Sequence, residues 1–405
     1  MIQVILNNNS DTPGTKLINF GTLCAWLSTS VLMAITSLIW FGQDFRSYYA
    51  AARVLLMGGN PYDYEQLVPF LLDATGRIGN YPYFYPLWFA WLITSLAWLP
   101  FEIARGIWML FNLSIWVVGL WQLSRLLDWP DIGWRRWLMF LYATFLFAWI
   151  TWRFEQIGIL LFTLLVAALT AIRRGHWAWA GLWLALFLLK PNITLLPVAA
   201  IIIWLIRRGR WQPFITMCLV LAGLLLATTA ATPDWYWPFL QPGFGRGLFN
   251  IFDSPSHVAA VRVNTTIIDW LATFVPNSTW RAVIYIIAAI TGGLTVVFAV
   301  LRSDSLMKVA TVSLLVSFAV TPYTLQYDFP LLTVPLFWAT ALFTQSKQAL
   351  KVGLALSLFM ASVLFWEHPI SDAYWIVIGL IVLTIWSWTR TDWQSIPENL
   401  LLTRV

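Results

Sequence analysis

Apolar runs approaching the length of a membrane crossing recur through the whole chain, and no stretch between them is polar and long enough to fold as a soluble domain. A crossing helix needs about 20 mostly apolar residues, so a chain patterned in this way is confined to stacking helices in a bilayer. Composition agrees: 60% of the residues are hydrophobic and 10% charged, where a soluble domain carries roughly a quarter charged residues. The aromatic share of 17% suits many crossings, because each offers two interfacial levels where Trp and Tyr settle. Disorder and collagen are excluded. Cys24 and Cys218 both lie in apolar runs and leave no disulfide framework or Cys metal cluster. The net charge of +6 is read as an orientation signal, and no nucleic-acid partner is called for.

The first run, 17–41, is too long for a signal-peptide core and is expected to be a retained anchor. Further runs fall near 85–99, 103–126, 134–151, 157–172, 177–189, 191–206, 212–232, 281–301, 308–322, 328–345, 350–366 and 372–389. Arg/Lys clusters at Arg125/Arg135/Arg136, Arg173/Arg174, Arg207/Arg208/Arg210, Arg302/Lys308, Lys347/Lys351 and Arg390/Arg404 belong in short cytoplasmic loops. If every run crosses, the cluster after 103–126 and all later ones land outside. If 85–99, short and closed by Pro100, lies on the outer face instead, every cluster falls inside. The second arrangement is expected. It gives an all-α integral-membrane bundle of about 12 transmembrane helices, organised as one unit over 1–405. Both termini are cytoplasmic, an outer loop at 42–101 contains juxtamembrane helices, a second outer loop spans 233–280, and a tail covers 390–405. Location is expected to be a bacterial inner or plasma membrane.

Ionisable groups at the outer ends of apolar helices are costly to keep near hydrocarbon and so mark candidate chemistry. Asp44 follows the first run and opens DFRSYYAAARVLLMGGNPYD, a helix expected to stop at Gly58-Gly59-Asn60-Pro61. It reads as a helix N-cap, as a functional carboxylate, or as both at once. Asp328 in TPYTLQYDFP has the same two readings. Glu155, in the turn WRFEQIG, either pairs with Arg153 in water or serves a site. Lys190, in a Lys-Pro-Asn turn, puts positive charge on the side where it is disfavoured; it snorkels to the interface or meets an anionic headgroup. Arg46, Arg53, Arg153, Arg246 and Arg262 are also outside and are able to fork onto a phosphate. Tyr62, Tyr64, Tyr81 to Tyr85, and Trp235 to Trp237 read most economically as interfacial anchors, although such rings also stack on sugars. His176, His257 and His368 are scattered without metal-ligand spacing, and phosphate-cradling Gly-rich loops are absent, so no metal and no cofactor are expected.

DFRSYYAAARVLLMGGNPYD after a first membrane helix, then YPYFYPLWFAWLITSLAWLPFEIARGIW, AGLWLALFLLKPNITLLPV and TPYTLQYDFP, together resemble the polyprenol-phosphate-mannose-dependent mannosyltransferase-like family, glycosyltransferase family 87. The resemblance runs from about 18 to 345 and lies in order and spacing. It implies a GT-C-class membrane enzyme with a polyprenyl-phosphate sugar as donor, a glycolipid or glycan as acceptor, membrane lipid around it and its site facing outside. It implies Asp44 as the base of an inverting transfer of a hexosyl, by the family mannosyl, residue. On this reading Lys190, Arg46, Arg153 and Arg262 meet the donor phosphate, and Tyr48, Tyr49, Glu155, Gln156, Tyr323, Tyr327 and Asp328 contact substrate. The family often has G-Q-x-N where this chain has Glu155-Gln156-Ile157-Gly158, and mannosyl-transferring members often carry histidines where it reads Tyr323 to Asp328. The rival readings are a transporter or flippase of lipid-linked sugars, and a scaffold whose loops bind a partner.

Overall fold

The computed structural model describes residues 13–39, 44–75, 82–127, 133–233, 235–241, 275–321 and 324–344, with Ile267 and Leu271. Among these, regular structure is entirely helical. Helix α1 (Pro13–Ile39) buries one stripe, Trp26, Ser30, Ala34 and Ser37, and leaves Leu27, Val31, Leu32, Ile35 and Ile39 exposed. Small side chains at that spacing let a helix approach its neighbours closely in a bilayer. The two serines return their hydroxyls to their own helix, Ser30 to the Trp26 carbonyl at 2.8 Å and Ser37 to that of Met33 at 2.7 Å. Neither is left as an unpaired polar group in an apolar setting.

Helix α2 (Phe45–Leu56) ends where its sequence says it should. Gly58 takes φ +75°, and the amides of Gly58 and Gly59 return to the carbonyls of Leu55 and Val54. Helices α3 (Tyr64–Thr75) and α4 (Leu87–Ala97) complete the first loop. Ala50, Ala51 and Ala52 are fully buried, and their small size brings α2 against α4. With 11 residues α4 is about 16 Å long, half of what a crossing needs. It sits between Pro86 and Pro100, and the Pro100 carbonyl caps the amides of Ile103 and Ala104 to start α5 (Phe101–Leu126). In length α4 matches α9 (Trp177–Phe187), so its place on the outer face rests on the charge pattern.

The next rod runs through α6 (Trp134–Ala143), a π-helical turn (Thr144–Ala148) and α7 (Trp149–Phe154). The Thr144 hydroxyl, at the start of the wide turn, accepts indole N–H bonds from Trp26 at 2.9 Å and Trp116 at 2.8 Å, tying α1 and α5 to this rod. Helix α8 (Gly158–Arg173) is largely buried, packed by α5, α9 and the 3-10 helix Gln326–Leu332. Helices α10 (Pro191–Arg207), α11 (Gln212–Ala231), α12 (Tyr236–Gln241), α13 (Ser278–Arg302), α14 (Leu306–Val320) and α15 (Thr333–Thr344) follow.

Arginines end α5, α8, α10 and α13, where cations suit the negative helix pole. These ends meet: Arg173 donates to the Leu126 carbonyl, Arg207 to that of Val300, and Arg208 pairs with Asp304 at 2.7 Å. The molecule thus has a basic end; Glu155 and Lys190 lie at the other ends of α8 and α10, where Gln156 contacts Asp44 and Lys190 pairs with Asp328. Four described helices, α1, α5, α11 and α13, are long and apolar enough to cross a membrane, by length and composition only. The sequence count of about 12 exceeds what these establish; α8, α9, α10 and α14 are apolar but shorter. The expected crossings at 350–366 and 372–389, the tail at 390–405 and most of the 233–280 loop lie outside the described residues.

Candidate active site

The site is built around the turn that joins α7 to α8. Glu155 stands in the left-handed region at φ 57°, alone in this among the described non-glycine residues. Such a backbone disfavours a Cβ by roughly 1 kcal/mol or more and persists only when its surroundings hold it. Here they do. The Glu155 carboxylate is buried and ion-paired with Arg105 of α5, the Trp108 indole donates to its carbonyl at 3.0 Å, and Gln156 N–H returns to Thr151 at 3.0 Å. Arg105 also donates to the Ser37 carbonyl in the last turn of α1 at 3.2 Å. At Gly158 an added Cβ would run into the Tyr327 carbonyl, the same oxygen that accepts from the Thr151 hydroxyl at 2.9 Å. Glycine there lets the 3-10 helix close over the turn.

Asp44 occupies the N-cap position of α2, but its side chain makes no cap bond; its carbonyl receives the Ser47 and Tyr48 amides instead. This corrects the capping reading. The Asp44 N–H donates to the Phe154 carbonyl at 3.3 Å, and its Oδ2 accepts from Gln156 Nε2. Gln156 Oε1 in turn accepts two phenolic hydroxyls, Tyr48 at 2.9 Å and Tyr85 at 2.8 Å. Burial pushes the Asp44 carboxyl up to about 6, opposed by the Gln156 bond and by the charges of Lys190 and Arg46, with Asp328 adding to the rise. Burial likewise raises Glu155 to about 7, against the Arg105 charge and hydrogen bond and the Arg46 charge, with Asp44 pushing up. Burial keeps Tyr48 protonated, hence a donor.

Lys190 does not snorkel. It is 7% exposed, grips both carboxylate oxygens of Asp328 at 2.7 and 2.8 Å, and rests 4.8 Å from the Tyr327 ring centroid. Asp328 is fully buried and also accepts the Leu325 amide at 3.2 Å, so its local capping reading holds alongside the ion pair. Arg46 is buried in the first turn of α2, its charge felt by both Asp44 and Glu155.

The structure thus gathers Asp44, Arg46, Tyr48, Glu155, Gln156, Lys190, Tyr327 and Asp328. Tyr49 is engaged elsewhere, donating to the Leu99 carbonyl at 2.8 Å, and Arg153 lies over the Trp149 ring at 5.9 Å rather than pairing with Glu155. Arg262 and Tyr323 lie outside the described residues. Sequence reasoning missed Arg105 and Tyr85. The available signal for Arg105 was a charge one turn inside an apolar run, and Tyr85 was read as a membrane anchor. Tyr62 and Tyr83 are not free anchors either: their hydroxyls bond the carbonyls of Tyr85 at 2.8 Å and Pro86 at 2.9 Å, which fixes the loop carrying Tyr85.

Residues 83–322 match the family model described as Glycosyltransferase family 87, more than half of the 405 residues. The chain belongs to glycosyltransferase family 87. No curated protein and no solved structure matches it. The all-helical architecture and long apolar helices agree with a membrane glycosyltransferase. In this family 87 glycosyltransferase the matched stretch contains Tyr85, Arg105, Glu155, Gln156 and Lys190, whereas Asp44 and Asp328 lie beyond its two ends. The fold brings those two carboxylates to the matched residues through Gln156 and Lys190.

Proposed function

We propose that this family 87 enzyme transfers a hexosyl residue, mannosyl by its resemblance, from a polyprenyl-phosphate donor to a hydroxyl of a glycolipid or glycan at the outer face. Inversion and an Asp44 base complete the reading. What carries it is the Asp44 carboxylate, held by Gln156 against the α7–α8 turn with its proton affinity raised toward neutrality. It stands away from the basic end of the bundle, which suits the cytoplasmic side.

In the step, Asp44 takes the proton of the acceptor hydroxyl as that oxygen bonds to the anomeric carbon. The bond from that carbon to the phosphate oxygen breaks on the opposite face, and its electron pair leaves with the lipid phosphate. A phosphate leaves as a stable anion, so it needs nearby positive charge more than a proton. Arg46 and Lys190 are the buried cations whose charges reach Asp44. Because Asp328 already compensates Lys190, the phosphate shares that lysine or displaces Asp328 from it.

The test is transfer by the purified chain in liposomes with a native lipid extract as acceptor. It is offered radiolabelled polyprenyl-phosphate sugars and, separately, nucleotide sugars. One lipid-phosphate donor should be consumed and its product should carry the inverted anomeric configuration. Consumption of a nucleotide sugar, or movement of labelled lipid-sugar across the vesicle without a new glycosidic bond, would overturn the proposal.

A further inference from the structure

The Gln156 amide sits between a carboxylate and two phenols. Its two ends are chemically different, one an acceptor and one a donor, and a half-turn about its last torsion exchanges them. In one orientation Nε2 supports the Asp44 carboxylate. In the other, Oε1 faces a carboxylate oxygen, a repulsive contact in a buried setting. Tyr48 and Tyr85 both reach the same amide oxygen, at 2.9 and 2.8 Å, and their own oxygens are 3.1 Å apart. Their positions are themselves fixed: the rings meet edge to face at 5.1 Å, Tyr48 is 1% exposed, and the Tyr85 carbonyl is held by the Tyr62 hydroxyl.

Resting on the Asp44 reading above, we infer that Gln156 is a positioning residue whose amide is locked by Tyr48 and Tyr85 so that its N–H end always faces Asp44. The lock keeps Oδ2 occupied and leaves Oδ1 as the oxygen that receives the acceptor proton. Tyr48 and Gln156, expected from sequence to contact substrate, act here through the carboxylate instead. Two phenols on one acceptor are redundant for orientation, since either alone biases the amide. This redundancy gives the inference a signature that mere packing lacks. Tyr48→Phe and Tyr85→Phe keep the rings, and each single variant should lose no more than about threefold in kcat/KM, because one phenol remains. The double variant strips the amide oxygen of both donors, so only the Asp44 contact still holds the amide and its place shifts; it should lose on the order of 100-fold, far more than the product of the singles, as expected when a reacting group is misplaced.

The measurement is the pH dependence of kcat/KM for wild type, both singles, the double variant, Gln156→Glu and Asp44→Asn in liposomes, with thermal unfolding in detergent as the control for folding. The acid limb should move upward in the double variant and more so in Gln156→Glu, whose carboxylate accepts from both tyrosines and faces Asp44 with a second negative charge. Multiplicative losses with an unmoved limb in folded variants would overturn the inference, as would a Gln156→Glu profile like that of wild type. An active Asp44→Asn enzyme would instead remove the base assignment on which the inference rests, so the two failures are told apart.

Discussion

At the scale of single residues, two buried carboxylates carry the electrostatic argument, and their pH behaviour has opposite signs for stability and for activity. Asp44 is raised to about 6 and Glu155 to about 7, so their contribution to stability is fully present below the ordinary carboxylate range and is lost as pH rises through 6 to 7. Activity through an Asp44 base runs the other way and should appear as pH rises through about 6. Asp44→Asn should therefore be more stable than wild type at pH 8 by about 2 kcal/mol and unfold at a higher temperature, while the two converge near pH 4; differential scanning fluorimetry in detergent checks this. The Lys190–Asp328 pair makes a separate prediction. Asp328→Asn strands a buried ammonium and should cost about 3–5 kcal/mol, whereas Lys190→Met with Asp328→Leu should recover most of that loss. Activity that returns together with stability in the double variant would show that Lys190 only braces the fold. The residue types at these positions were legible from sequence because charges at the ends of apolar helices stand out. Their pairing was not: Glu155 finds Arg105 rather than Arg153, and Lys190 finds Asp328 at a sequence distance that no local pattern records.

At the scale of elements, the first helix, the π turn and the α7–α8 turn act together. Thr144 satisfies two indole N–H groups from α1 and α5, so Thr144→Val should leave two buried donors unpaired and cost about 2–4 kcal/mol, where Thr144→Ser should be nearly neutral. Gly158→Ala should be costly for a different reason, since the new methyl group meets a backbone carbonyl that cannot rotate away. Thermal unfolding of the three variants separates these effects. Helix boundaries could be read closely from the apolar pattern: the expected 212–232 and 281–301 appear as Gln212–Ala231 and Ser278–Arg302. The π turn and the 3-10 start before α15 could not, because both depend on what packs against them, Trp26 and Trp116 in one case and Gly158 in the other.

At the scale of the whole molecule, the basic helix ends gather on one side and the candidate site on the other, a separation that loop charges had already suggested through the short 85–99 segment. The count of crossings was less accessible, since α8, α9, α10 and α14 are too short by length alone to declare themselves. Sidedness can be checked with single cysteines in a background where the exposed Cys24 and Cys218 are replaced by serine. Glu65→Cys in the first loop should react with an impermeant maleimide on intact cells, and His176→Cys beside the basic ends only after permeabilisation. The same side labelling for both would contradict the arrangement. The most direct test of the central claim is the sugar-transfer rate of Asp44→Asn against wild type in liposomes at pH 8, with the preferred lipid-phosphate donor and equal amounts of folded protein. A loss of roughly 100-fold or more is the predicted result; transfer within a few-fold of wild type would contradict it.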